Sequence, residues 1–186
     1  MNYASFWQRF LAGIIDFLIF LPIIFLQNWL EADSKLAGFV LALATAFAFF
    51  AYSLCCHAKY GKTLGKHMVG IRVVTVSGQP LGWRRATLRV SVDGVLSILQ
   101  AIATIWAIAH IPDALYYGVG WQDRIKNLTA YELASLSWVG TATQIWYWSE
   151  LVVMLLDDKR RALHDYLAGS VVISEGKSQS TVASSV

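Results

Sequence analysis

The sequence predicts an all-α membrane protein, a bundle of about four transmembrane helices with short strand-like or interfacial elements on its cytoplasmic side. Three observations predict it. Hydrophobic residues make up 56 % of the chain and charged residues only 15 %, whereas soluble domains approach a quarter charged. The apolar residues fall in long blocks rather than in alternation. Lys and Arg collect in only some of the segments between those blocks, the asymmetry that orients membrane helices. The formal charge of +3 says little by itself; its placement matters more.

The first block, Phe6 to Leu30, is longer than the roughly 20 residues a bilayer crossing takes. It holds Arg9 at its start and Asp16 within it, two helical turns apart and too far for an i,i+4 pair. A carboxylate at that depth costs about 2.5–3.5 kcal/mol and persists only where it faces protein or a wet cavity, so another part of the chain has to meet Asp16. An acid inside the apolar run and no small-residue cleavage site after it argue against a secretory signal, and the block is read as retained. The second block, Leu36 to Cys56, is free of charge, and Ala37, Ala44, Ala48 and Ala51 recur along it. Such small residues let a neighbouring helix come close. The third runs from about Ala86 to Ile111 and the fourth from about Leu136 to Leu156.

The connection from His57 to Arg85 carries Lys59, Lys62, Lys66, Arg72, Arg84 and Arg85, and the tail after Leu156 carries Lys159, Arg160, Arg161 and Lys177. The two other connections hold only Lys35, Arg124 and Lys126. With four spans the two basic segments share one side, which places both termini in the cytoplasm. That rule also accounts for the basic loop without nucleic acid. Within the basic connection KHMVGIRVVTV is short and β-branched and SGQP has turn composition; LAGSVVI, Leu167 to Ile173, is a second strand-like piece. The last residues, SEGKSQSTVASSV from 174 to 186, are polar, small and expected to be disordered.

On the third block Arg89, Asp93, Ser97, Gln100 and Thr104 share one face, and Arg89 and Asp93 stand at i,i+4, able to pair. Asp16 lies seven residues from Arg9, Asp93 seven from Ala86 and Glu150 seven from Asp157, so each is about 10 Å inside the cytoplasmic boundary at 1.5 Å per residue. Two readings follow. The three carboxylates form an ion or proton site, tuned by Arg9 and Arg89, because intramembrane carboxylates mark ion pathways; or they form a buried network that fixes helix register.

Other chemistry finds no support. GKT in YGKTLGK lacks the glycine five residues before Gly61 that a phosphate-binding loop needs, where Cys56 stands. The four histidines have no ligand spacing, and neighbouring Cys55 and Cys56 suggest neither a metal site nor a disulfide framework. No nucleophile, base and orienting group can be assembled from His164, Asp165 and Ser170 by spacing alone. No enzyme activity, metal or cofactor is expected.

Three stretches together resemble the RDD family of small integral membrane proteins. FWQRFLAGIIDFLI is similar to its first helix, with Arg9 and Asp16 as the arginine and first aspartate of the family name. GKTLGKHMVGIRVVTVSGQPLGWRRATLR resembles the block after the second helix, with Gly61, Thr63, Gly65, Lys66 and Arg89 matching. KRRALHDYLAGSVVI is similar to the closing motif, with Asp165 as the second aspartate and Ser170 where the family usually has threonine. The resemblance implies an integral, mostly bacterial, inner-membrane domain over 4–173, and transport of ions or other small ligands. The expected function is therefore transport of a monovalent cation or another small ligand through the layer of intramembrane carboxylates, with cation/proton exchange as one form of it. The alternative is a non-transporting scaffold or regulatory partner of another membrane protein. Asp165 with Arg160 and Arg161 is expected to latch the cytoplasmic face. Four helices are few for a carrier, which favours a homo-oligomer in the lipid bilayer.

Overall fold

The computed structural model describes residues 1–175. Helix α1 spans Phe6–Ala32 and begins at a capping box in which Ser5 and Gln8 satisfy each other's backbone N–H groups. Ser34 caps α2, Lys35–Cys55, which continues as a π-helical turn over Cys56–Tyr60. Gly61, at φ +67°, ends that turn in the left-handed conformation that glycine adopts without strain. Short α3, Leu64–Val69, and strand β1, Ile71–Thr75, follow. Helix α4 spans Gly82–His110 and packs along α2. Two short helices, α5 at Asp113–Tyr116 and α6 at Trp121–Ala130, lead to α7, Val139–Leu156, after which come α8, Leu163–Ala168, and β2, Ser170–Ser174.

Three helical segments, Phe6–Ala32, Lys35–Tyr60 and Gly82–His110, are long and apolar enough to cross a membrane. Their exteriors suit lipid: α1 buries only Ala12 and α2 only Gly38, while Trp7, Phe17, Leu43 and Phe47 are largely exposed. A soluble monomer does not display apolar surface on that scale. The fourth expected span is not among the three. It is helical only from Val139, about 27 Å at 1.5 Å per residue, and includes Gln144 and Glu150.

The two strand-like stretches of the sequence pair with each other. β1 and β2 run antiparallel, from Ile71 opposite Ser174 to Thr75 opposite Ser170. The N-terminal segment joins their edge, with the Ala4 amide donating to the Val172 carbonyl at 2.9 Å and the Ser174 amide to the Asn2 carbonyl at 2.9 Å. Val73, Ile71 and Val172 are buried here against Ala4, Ala12, Leu81 and Ala86. The first two residues of the expected tail belong to this folded part: Ser174 ends β2, and Glu175 pairs with Lys62 at 2.8 Å and Arg72 at 2.9 Å. The rest of that tail lies outside the described residues.

Candidate functional site

Asp165 ties the elements of the sheet side together. It lies in the first turn of α8, fully buried. Its Oδ2 accepts from Arg9 Nη2 at 2.6 Å and from the Ala162 amide at 3.0 Å. Its Oδ1 takes the Arg89 guanidinium and the Ser170 hydroxyl, the latter at 3.0 Å. Arg9 also donates to the Arg160 carbonyl, and Arg89 to Ser170 Oγ at 2.8 Å. Helices α1, α4 and α8 and strand β2 thus meet on one carboxylate. Although burial opposes the charge, Arg89, Arg9 and the neighbouring polar groups hold the Asp165 carboxyl well below the usual carboxylate range.

The chain of contacts continues to α7. Arg89 Nη2 donates to His164 Nε2 at 2.7 Å, so Nε2 carries no proton and the proton sits on Nδ1. Nδ1 faces Glu150 Oε2, and the His164 amide donates to Glu150 Oε1 at 3.0 Å. Burial first, then the Arg89 charge, lowers the imidazole below its usual range.

Asp16 is met by the glycine-rich block instead. Thr63 Oγ1 donates to its Oδ2 at 2.6 Å; the Gly65 amide and the Tyr52 hydroxyl donate to its Oδ1 at 2.8 and 3.2 Å. Thr63 caps α3, and Tyr52 in turn accepts the Leu64 amide at 2.9 Å. Gly65 is required by contact. A Cβ there would lie 2.2 Å from the Ala12 carbonyl oxygen and 2.8 Å from Asp16 Cγ. Next to it Lys66 Nζ lies 2.8 Å from His57 Nε2, while His57 Nδ1 is 2.7 Å from the Ser53 carbonyl. A carbonyl only accepts, which leaves Nε2 as the acceptor of a Lys66 proton. Burial, then the nearby Arg89 and Arg9 charges, pushes the Lys66 ammonium down to about 7.

Asp93, on α4, accepts from Trp146 Nε1 at 3.0 Å through Oδ1. Its Oδ2 has no hydrogen-bond partner among the described residues. Between α1, α2, α4 and α7 opens a cleft of about 890 Å³. Asp16, Thr63, Lys66, His57, Arg89, Asp93 and His164 border it, together with apolar side chains of α1 and α2 and Tyr147 of α7. No group of acidic, cysteine and histidine side chains suited to a metal ion occurs among the described residues.

Several expected pairings differ. Arg89 meets Asp165 rather than Asp93, because α8 brings a fully desolvated carboxylate to the same face of α4. The latch of Asp165 with Arg160 and Arg161 does not form: the turn between Asp157 and Ala162 sends Arg161 back to Asp157 at 3.0 Å, and Arg160 meets Asp165 only indirectly, through Arg9. The cleft brings Asp16 and Asp93 together at its border; Glu150 is not one of its lining residues. Tyr52, His57, His164 and Ser170 were not singled out for these contacts. Their signals are weak, since each partner is remote in sequence or reached through a turn.

Apolar helices this exposed, with their ionisable groups gathered against protein, define an integral membrane protein. The chain belongs to the RDD family, whose model matches residues 3–169. No curated protein and no solved structure shows a significant match to it.

Proposed function

We propose that the protein moves a monovalent cation across the membrane, with Asp93 as the group that takes the cation or an exchanging proton. One observation supports this most: Asp93 borders the cleft with one carboxylate oxygen uncommitted, whereas Asp16, Asp165 and Glu150 use both of theirs. Intramembrane carboxylates are costly and mark ion pathways. Asp16 supplies a second carboxyl group beside the cleft. Glu150, His164, Arg89 and Asp165 form the hydrogen-bonded chain that holds α4, α7 and α8 in register around it. In this reading α7 is a fourth crossing, both termini and the basic connection face the cytoplasm of a bacterial cell, and the protein sits in the inner membrane. The Lys and Arg distribution supports that orientation. A homo-oligomer accompanies the reading, since one copy supplies few helices.

The test is reconstitution into vesicles loaded with a pH-sensitive dye, with sodium, potassium and lithium added in turn. Discharge of an imposed pH gradient by one of them, lost in Asp93→Asn, supports transport. No movement with any of the three rejects it in favour of a scaffold.

A further inference from the structure

A monovalent cation leaves most of the cleft without a role. Its volume, about 890 Å³, is some thirty times the roughly 30 Å³ a water molecule occupies in the liquid. It falls instead within the range of about 300–1,000 Å³ typical of organic-ligand sites. Its walls are Phe17, Phe20 and Ile23 of α1 and Leu41, Ala44 and Phe49 of α2. Ala44 and Ala48, read in the sequence as a face for a close helix, line this space.

At the polar end most charged groups are already engaged. Arg89 uses both terminal nitrogens on Asp165, Ser170 and His164. His57 uses both ring nitrogens, as does His164, and Asp16 both oxygens. Arg89 keeps two of its five N–H groups but is itself buried. Of the less buried charged groups two keep capacity: Lys66 Nζ, with one of its three hydrogens on His57, and Asp93 Oδ2. One is a donor and the other an acceptor, and both border the same space.

We propose that the cleft binds a zwitterionic amphiphile of the amino-phospholipid kind. Its phosphate accepts from Lys66, its primary ammonium donates to Asp93, and its chains lie along α1 and α2. A free phosphate or amine leaves the apolar walls uncovered. A helix from a second copy is the competing occupant of the walls, and crosslinking through Ala44 tests it. The inference concerns binding alone; the lipid ammonium and a transported cation are alternative occupants of the same Asp93 oxygen.

The experiment uses the full chain in vesicles containing phosphatidylethanolamine with a diazirine in one acyl chain, followed by peptide mapping after illumination. Labelling of the peptides around Phe17–Ile23 and Leu41–Phe49 is expected to exceed that by matched phosphatidylcholine, which has no N–H donor, and phosphatidylglycerol, which has no amine. Loss of a hydrogen bond to a charged group should lower it about tenfold in Lys66→Gln and in Asp93→Asn. Ala48→Phe narrows the cleft without removing a charged group and is expected to lower it as much, with thermal unfolding reporting that the variant is folded. Equal labelling by the three lipids, or labelling unchanged in folded Ala48→Phe or in both head-group variants, overturns the proposal. So does efficient crosslinking between two copies through cysteines placed at Ala44. A protein that binds the lipid but moves no cation keeps this inference and loses the transport reading; the reverse result separates them the other way.

Discussion

Asp165 and Asp16 lie in the same charged neighbourhood and are held by opposite means. Asp165 is dry and clamped between two guanidinium groups, one from α1 and one from α4. Asp16 has no ion-pair partner within 4 Å among the described residues; it is held by two hydroxyls and an amide, two of those three donors coming from the Thr63–Gly65 turn. The first arrangement fixes where helices sit. The second seats a short segment on a membrane helix and leaves a carboxyl group beside the cleft. The difference separates a carboxylate that holds the fold from one that borders a site.

The largest expected effect tests the clamp. Asp165→Asn leaves Arg9 and Arg89 buried without their counter-charge, a loss that typically costs about 3–5 kcal/mol. Thermal unfolding in detergent should show a large drop or no folded protein. The same clamp sets the acid limit. The Asp165 carboxyl is held well below its ordinary 3.8, so its contribution is present above that value. It is lost as pH falls through the lowered one.

Gly65→Ala should come next, at about 3 kcal/mol, the upper range for overpacking. The added carbon meets a backbone oxygen that cannot swing away. Asp16→Asn should cost less, about 1–3 kcal/mol, because neutral donors lose an acceptor but no cation loses its partner. An Asp16→Asn protein as unstable as Asp165→Asn would erase the distinction between the two carboxylates.

The smallest effect is a slope. Lys66 titrates near 7 in the folded protein and 10.5 unfolded. Between those values the unfolded chain binds more protons, so stability should rise with pH across that window. Lys66→Gln should flatten the rise in a pH series of unfolding temperatures.

Much of this architecture was legible in the sequence, and its limits are physical. Block length and charge gave the first helix as Phe6 to Leu30, against Phe6–Ala32, because a bilayer crossing is a demand on composition that a short window can display. The need for a partner at Asp16 was also legible, since a lone carboxylate in an apolar run is too costly to leave unmet. Which group met it was not. An i,i+4 spacing says that Arg89 and Asp93 can touch, but the better partner for Arg89 stands 76 residues away, on a helix whose approach no local pattern encodes. Nearness in sequence misled at Asp165 for the same reason: Arg160 and Arg161 precede a change of direction. The alanines of α2 read as a packing face, and only the placement of α1 and α7 shows the space they border.

The central claim is that Asp93, and not the clamped Asp165, carries the exchangeable charge. It is tested most directly by cation-driven proton movement in vesicles holding the Asp93→Asn protein, with unfolding temperature measured on the same preparation. The account predicts a folded protein, close to wild type in stability, with no movement above empty vesicles. A folded Asp93→Asn protein that discharges the gradient as fast as wild type would contradict it.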